Sequence, residues 1–284
     1  MENLAPLIAA SLNAGTPLLI AAIGLLINER AGVLNLGAEG MMLVAAISGF
    51  IVAYASGSAM LGFAAGIVAG MLMAALFAWL SLILVTSQVP TGLALSIFGV
   101  GISAFMGQKF VGISLPIKAY EIPYLADIPF IGQALFHQHF MAYLGLALCA
   151  ATIWFLYRTR AGLVLRSILF GGACCSLAGA YLSQIYTPMW VEGMVAGRCW
   201  IALALPTFAT WRPGRVVLGA ILFGGVTILQ FYMQGQGVSV PSQILSMLPY
   251  AATIVVLALI SRNPDWIRLN MPASLGRPFR RGSA

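Results

Sequence analysis

The chain has 284 residues, 61% of them hydrophobic and only 7% charged, with a formal net charge of +7. Soluble domains carry roughly 25% charged residues, so this composition excludes a water-soluble globule and leaves an integral membrane protein. The positive balance does not mark a nucleic-acid binder, because Lys and Arg punctuate the ends of apolar runs instead of forming a patch interleaved with aromatics.

Those runs are continuous and about 20 residues long or more, as membrane helices require, whereas barrel strands alternate over about 10. The expected fold is all-α and polytopic, with about nine transmembrane helices over residues 4–27, 31–55, 59–85, 91–108, 140–157, 167–186, 198–210, 214–233 and 241–260. The first run lacks a basic n-region and is longer than an h-region, so it is expected to stay in the protein as the first span. Gly32, Gly37 and Gly40 interrupt the second span, and "TSQVPTG" places Gln88, Pro90, Thr91 and Gly92 at the junction of the third and fourth. The loop 109–136 carries Pro116, Pro123 and Pro129, which argue against a continuous helix. The run 198–210 would be only about 20 Å long as a helix, short of the roughly 30 Å hydrocarbon core, and contains Pro206. Residues 1–262 are therefore read as the membrane domain, and 263–284, rich in Arg, Pro and Gly, as a flexible basic tail.

The positive-inside rule orients this arrangement. With the C-terminus in the cytoplasm, Arg30, Arg158, Arg160, Arg166, Arg212, Arg215, Arg262, Arg268, Arg277, Arg280 and Arg281 all fall on that side, and only Lys109, Lys118 and Arg198 do not. The expectation is N-out and C-in.

Broken helices at membrane depth survive only where the freed backbone groups line a cavity or lie buried in protein. Glu39 follows Arg30 by about two and a half helical turns, well inside the membrane, where an ionisable group marks a functional site by default. The alternative is that Glu39 and Asn35 only hold two helices together by hydrogen bonds. Glu29 and Arg30, at the boundary, read as a solvated or headgroup-level turn. A second polar island, "YTPMWVEGMVAGRCW", contains Trp190, Glu192, Arg198 and Trp200, and the plain reading is an aromatic belt with a local ion pair. Its Glu192-Gly193-Met194 echoes Glu39-Gly40-Met41 from the opposite side of the membrane, as inverted repeats around a midplane site would. On 91–108 the small residues Gly92, Ser96, Gly99 and Ser103 serve close packing, and Thr91 and Gln108 are the better ligand candidates. The substrate-path candidates are thus Asn35, Glu39, Gln88, Thr91, Gln108, Trp190 and Glu192.

The four cysteines, Cys149, Cys174, Cys175 and Cys199, lack metal or redox spacing and read as apolar packing residues. His137 and His139 have no carboxylate or Cys nearby in sequence, so no metal is expected. The sequence contains no GxxxxGK[ST], HExxH or Ser-His-Asp signature. No catalytic residue and no cofactor are expected.

With these residues in hand, the stretches "GTPLLIAAIGLLINERAGVLNLGAEGMMLVAA", "TGLALSIFGVGISAFMGQKFVG", "LAGAYLSQIYTPMWVEGMVAGR", "FATWRP", "LFGGVTILQ" and "PSQILSMLPYAATIVVLALISR" resemble permease subunits of bacterial ABC importers. The branch is the one for nucleosides or simple sugars, within the wider group of branched-chain amino acid and ribose permeases. The resemblance implies a second, related permease chain, a cytoplasmic ATP-binding subunit and an extracytoplasmic substrate-binding lipoprotein as partners, in a bacterial inner membrane. It also implies a broken second helix at Asn35, Gly37, Glu39 and Gly40 that lines the path. Such permeases carry a cytoplasmic coupling segment of several helical turns after a stretch like "TRAGLVLR". Here that stretch, ending at Arg166, runs almost directly into "SILFGGA", so the ATPase-docking region around Arg158, Arg160 and Arg166 is truncated. A proton-coupled secondary carrier and an uncoupled permease remnant are the rival readings.

Overall fold

The computed structural model describes residues 4–116, 164–237, 240–262 and 270–276, with scattered positions between 140 and 154. Nine helices organise the described residues: α1 (Leu4–Arg30), α2 (Ala38–Ser56), α3 (Ala59–Ala78), α4 (Gln88–Gly107), α5 (Val164–Tyr181), α6 (Arg198–Phe208), α7 (Pro213–Gly235), α8 (Ser242–Ser246) and α9 (Leu248–Ser261). The sheet content among them is two isolated bridges. Among the described residues, six helical segments are long and apolar enough to cross a membrane, and Arg198–Phe208 and Leu248–Leu259 are shorter apolar helices. The protein is an all-α polytopic membrane protein.

Local chemistry explains most boundaries. α2 stops at Gly57, whose φ of 69° places it in the left-handed region where glycine has no Cβ penalty, and its N–H closes on the Ala53 carbonyl. Ser58 then caps α3. α7 begins with Pro213 at a position where the missing N–H costs nothing. α3 and α5 each end in a π-helical turn, Trp79–Ile83 and Leu182–Tyr186. The widened turns free carbonyls, and the hydroxyls of Thr86 and Thr187 donate to Leu80 O at 2.9 Å and Leu182 O at 3.0 Å.

Six of the nine expected spans correspond to helices long enough to cross a membrane, with shifted ends, whereas 198–210 holds only the short α6 and 241–260 is divided into α8 and α9. The second expected span is not one helix: residues 31–37 leave the helical path and α2 starts at Ala38. The fourth starts at Gln88, with Pro90 inside its first turn. The expected span 140–157 lies largely outside the described residues, as do Arg158, Arg160, His137, His139 and the tail from 277.

α1 and α5 form the buried centre, with α2 and α3 on one side and α6 and α7 on the other. Backbones meet closely where side chains are absent: a Cβ on Gly224 of α7 would lie 2.6 Å from the Gly15 N of α1. Such contacts suit membrane bundles, where packing rather than water drives helix association. α4 and α7 are peripheral, and Ile97, Phe105 and Leu218 on them are strongly exposed, as a lipid-facing surface requires.

Candidate functional site

The helix–break–helix unit occurs twice, as α1, residues 31–37 and α2, and as α5, residues 187–197 and α6. A break buried among apolar helices must find partners for its peptide groups. In the first break, Leu34 N–H donates to Gln88 Oε1 at 2.8 Å, and Gly37 N–H donates to Asn35 Oδ1 at 3.1 Å. The Ser96 hydroxyl donates to Leu36 O at 2.8 Å. Val33 N–H returns to Asn28 O at 2.9 Å, closing the end of α1. Asn35 Nδ2 is directed at Met41 Sδ, 3.5 Å away. Asn35 and Gln88 are buried, and both support the backbone of the break.

α4 is shaped to receive this break. A Cβ on Gly92 would come within 2.9 Å of Leu36 N and Gly37 N, and one on Gly99 within 2.4 Å of Gly40 Cα. The small residues of α4 therefore serve close approach. At the other end, a Cβ on Gly107 would strike the Trp190 indole. α4 is about 30 Å long at 1.5 Å per residue, so it spans the distance between the two breaks.

The sequence-derived path residues accordingly fall into two groups. Asn35, Gln88, Thr91 and Glu39 gather around the first break and the start of α4. The Thr91 hydroxyl donates to Ser87 O at 2.7 Å and lies 2.9 Å from Thr86 Oγ1. Glu39 is half-buried in the first turn of α2, and Cys199 is buried in the first turn of α6. The two helices that follow the breaks pack against one another.

Gln108, Trp190 and Glu192 form the second group. Gln108 is exposed in a 3-10 turn after α4, and Glu192 is exposed in the second break. Trp190 is fully buried rather than interfacial, its segment bridged to Val111 and Ser114. Leu115 N–H donates to Pro188 O at 2.8 Å, fastening the two loops. Trp200, 45% exposed, does suit a membrane interface. Arg198 stacks over the Tyr186 ring at 4.4 Å, and the expected ion pair with Glu192 is not formed among the described residues.

Two features escaped the sequence reading. The first is a clasp: Glu29 is 3% exposed, not solvated, and its Oε2 accepts the Trp211 indole N–H at 2.7 Å. Exposed Arg30 donates to Trp211 O at 2.6 Å, and Arg215 donates to Thr210 Oγ1 at 2.8 Å. Thr210 and Trp211 have φ of 50° and 53°, an uncommon left-handed pair without glycine that these bonds hold in place. Trp211 is 181 and 182 positions from its partners, so no local pattern reveals the contact. The second feature is a pair of buried amides, Asn28 and Gln184, whose polar side-chain atoms have no hydrogen-bond partner among the described residues. Gln184 sits between α2 and α3, where a Cβ on Gly49 or Gly62 would come within 2.7 or 2.5 Å of it. A polar side chain inside an apolar run opposite glycines was the available signal. Arg166 is exposed in the first turn of α5.

Comparison with known proteins gives this arrangement a context. A chain of Haloferax volcanii, provisionally named a glucose ABC transporter permease protein, is 36% identical over 99% of both chains. A nucleoside ABC transporter permease protein of Lactococcus lactis is 28% identical over 91% of this chain and 93% of its own. A guanosine ABC transporter permease protein of Bacillus subtilis is 25% identical over 99% and 98%. No solved structure matches. With residues 7–169 matched by the model for the branched-chain amino acid transport system permease component, the chain belongs to that family of membrane permeases.

Proposed function

We propose that the chain is the membrane permease subunit of an ABC importer for a small polar solute, a simple sugar or a nucleoside, with ATP hydrolysis supplied by a separate cytoplasmic subunit. The observation that carries this reading is the pair of breaks whose following helices, α2 and α6, pack against one another, with half-buried Glu39 in the first turn of α2. Helix starts present unpaired N–H groups, and a carboxylate beside them adds an acceptor, so hydroxyl-rich solutes find both donors and acceptors there. The relatives named for glucose, nucleoside and guanosine transport support this solute class.

In this reading Glu39 and Thr91 contact solute on the inner half of the route, and Gln108 and Glu192 on the outer half. Asn35, Gln88 and Trp190 shape the walls. The assembly contains a related second permease chain, the ATP-binding subunit and an extracytoplasmic substrate-binding lipoprotein. The chain sits in the cell membrane with its N-terminus outside and its C-terminus in the cytoplasm. Residues 1–262 form the permease domain and 263–284 a basic tail.

One observation favours a variant of this reading in which coupling to the ATPase is weakened. The alignments to the Haloferax and Bacillus chains run over 326 and 323 positions, more than the 284 residues present here, so each contains residues without a counterpart in this chain. The family match also stops at residue 169, just beyond Arg166, where the coupling segment is short. The test is uptake of labelled glucose and guanosine by vesicles holding the chain with its genomic neighbours. Glu39→Leu is expected to abolish uptake while the chain still inserts. Uptake at the wild-type rate by that variant refutes the placement of the route, and uptake collapsed by a protonophore with ATP present refutes ATP-driven import.

A further inference from the structure

Residues 270–276 lie beyond α9, yet they end against the first break, next to the end of α1. Pro272 to Leu275 forms a turn, closed by Leu275 N–H donating to Pro272 O at 3.2 Å. Leu275 is half-buried and packs on the core. Gly276 follows with a φ of 72° and donates its N–H to Gly32 O at 3.2 Å. Ser274 covers the same glycine: a Cβ on Gly32 would lie 2.4 Å from its Oγ and 3.2 Å from its carbonyl oxygen. Gly32 is buried.

The peptide groups of the break are therefore held from three sides. α1 takes Gly32 N–H on Glu29 O at 2.9 Å and Val33 N–H on Asn28 O, α4 supplies Gln88 and Ser96, and the C-terminal segment supplies the donor for Gly32 O. The three grips differ in strength. Those of α1 and α4 come from long helices set in the bundle. That of residues 270–276 consists of one backbone hydrogen bond, one half-buried leucine and the Ser274 cover, while Met271, Ala273, Ser274 and Gly276 are largely exposed. Few buried contacts and an exposed backbone give a segment that opens locally long before the bundle unfolds. Beneath it lies Gly32, whose φ of 86° is in the left-handed region, and a glycine there changes its backbone angles without a side-chain penalty. A weak grip on a pliable residue beside a buried polar break makes a release point and not a pillar.

We infer that residues 270–276 are a releasable strap on the first break: docked, the segment holds the Gly32 end of the break shut, and its release lets that end open. A contact made in one state and lost in the other biases the equilibrium toward the first, so the strap acts as a brake built into the chain. Its action on transport rests on the route proposed above, because Asn35 and Glu39 follow Gly32 in the same unit. The strap itself needs only the contacts described.

The test is hydrogen–deuterium exchange of the full chain in lipid nanodiscs, followed by mass spectrometry on peptides covering residues 31–37. Two variants loosen the strap and leave the break itself unaltered. Leu275→Asp removes the apolar anchor, and Gly276→Pro removes the N–H that Gly32 O accepts and cannot adopt a φ of 72°. Each should raise exchange over 31–37 at least tenfold. Gly276→Asn keeps the N–H, tolerates the left-handed region and places its Cβ where no atom lies within 4 Å, so it should stay within twofold of wild type. The midpoint of unfolding by sodium dodecyl sulfate should not move in any of the three. Uptake by vesicles holding the chain with its genomic neighbours should be at least threefold faster in Leu275→Asp. Unchanged exchange over 31–37 in both loosening variants overturns the strap. A rise that spreads over all the helices, or an earlier unfolding midpoint, makes the segment a general support and overturns its release. Uptake no faster than wild type overturns the brake. A wild-type assembly that takes up no solute counts against the proposed function, and the exchange measurement still decides the strap.

Discussion

Replacing Gln88 by Leu tests how the first break is kept inside the bundle. The substitution keeps a similar volume, so no cavity forms, but it removes the oxygen that accepts Leu34 N–H at 2.8 Å. A buried donor left without a partner costs about 1–3 kcal/mol, and the cost approaches several kcal/mol where no water can substitute. At 1.4 kcal/mol per tenfold, the folding equilibrium should fall by roughly 10- to 100-fold. Denaturation of the purified chain in mixed micelles by rising sodium dodecyl sulfate measures it, and Gln88→Glu, which keeps an acceptor at the same reach, serves as the control. A Gln88→Leu variant within about 0.5 kcal/mol of wild type, the range of ordinary surface substitutions, would refute the claim that this side chain holds the break together.

The other expectations rest on separate contacts. Gly99→Leu should separate α4 from α2, because the new Cβ meets the Gly40 backbone and not a movable side chain; a loss of about 3 kcal/mol or more and no uptake are expected, read by the same titration and by vesicle transport. Trp211→Phe should cost about 2–3 kcal/mol by leaving Glu29 buried without its donor, and the double variant with Glu29→Leu should recover most of that in a double-mutant cycle. Gln184→Leu should stabilise the chain by about 1 kcal/mol, since it replaces two unpartnered buried polar atoms with apolar ones of similar shape; a clear destabilisation would show that the amide has a partner in the membrane-embedded protein. Inserting a coupling segment of family length between Arg166 and Ser167 should increase co-purification of the neighbouring ATPase, and no change would remove the account of the short junction.

Helix existence was legible because an uninterrupted apolar run in a chain with so little charge has few other fates, and the glycines at 32, 37 and 40 marked the break. Its cause was not legible. The residues that satisfy the break, Gln88 and Ser96, lie 54 and 60 positions away from their partners and read locally as junction and packing residues. The same limit hid the clasp: Glu29 at a helix end beside Arg30 has the look of a solvated turn until Trp211 is folded against it. Trp190 failed as an interfacial residue for a related reason, since a tryptophan near a span end is ambiguous until Gly107 supplies the space for its ring.

These contacts bear on how such a route could open. The first break is held by side chains of α4, and the turn after α6 is held by the end of α1, so each break unit is anchored by an element outside it. A rigid shift of α4 would carry Gln88 and Ser96 away from the first break and Gly107 away from Trp190 together, coupling the two ends of the proposed route through one helix. Buried donors left behind would then require a new partner, and a polar solute arriving at Glu39 is a group able to supply one. Alternating access in this chain is therefore expected to appear as motion of α4 against α2. Spin labels at Tyr54→Cys of α2 and Phe105→Cys of α4, both exposed, should change their separation when ATP is added to the assembled transporter, and an unchanged separation contradicts the coupling.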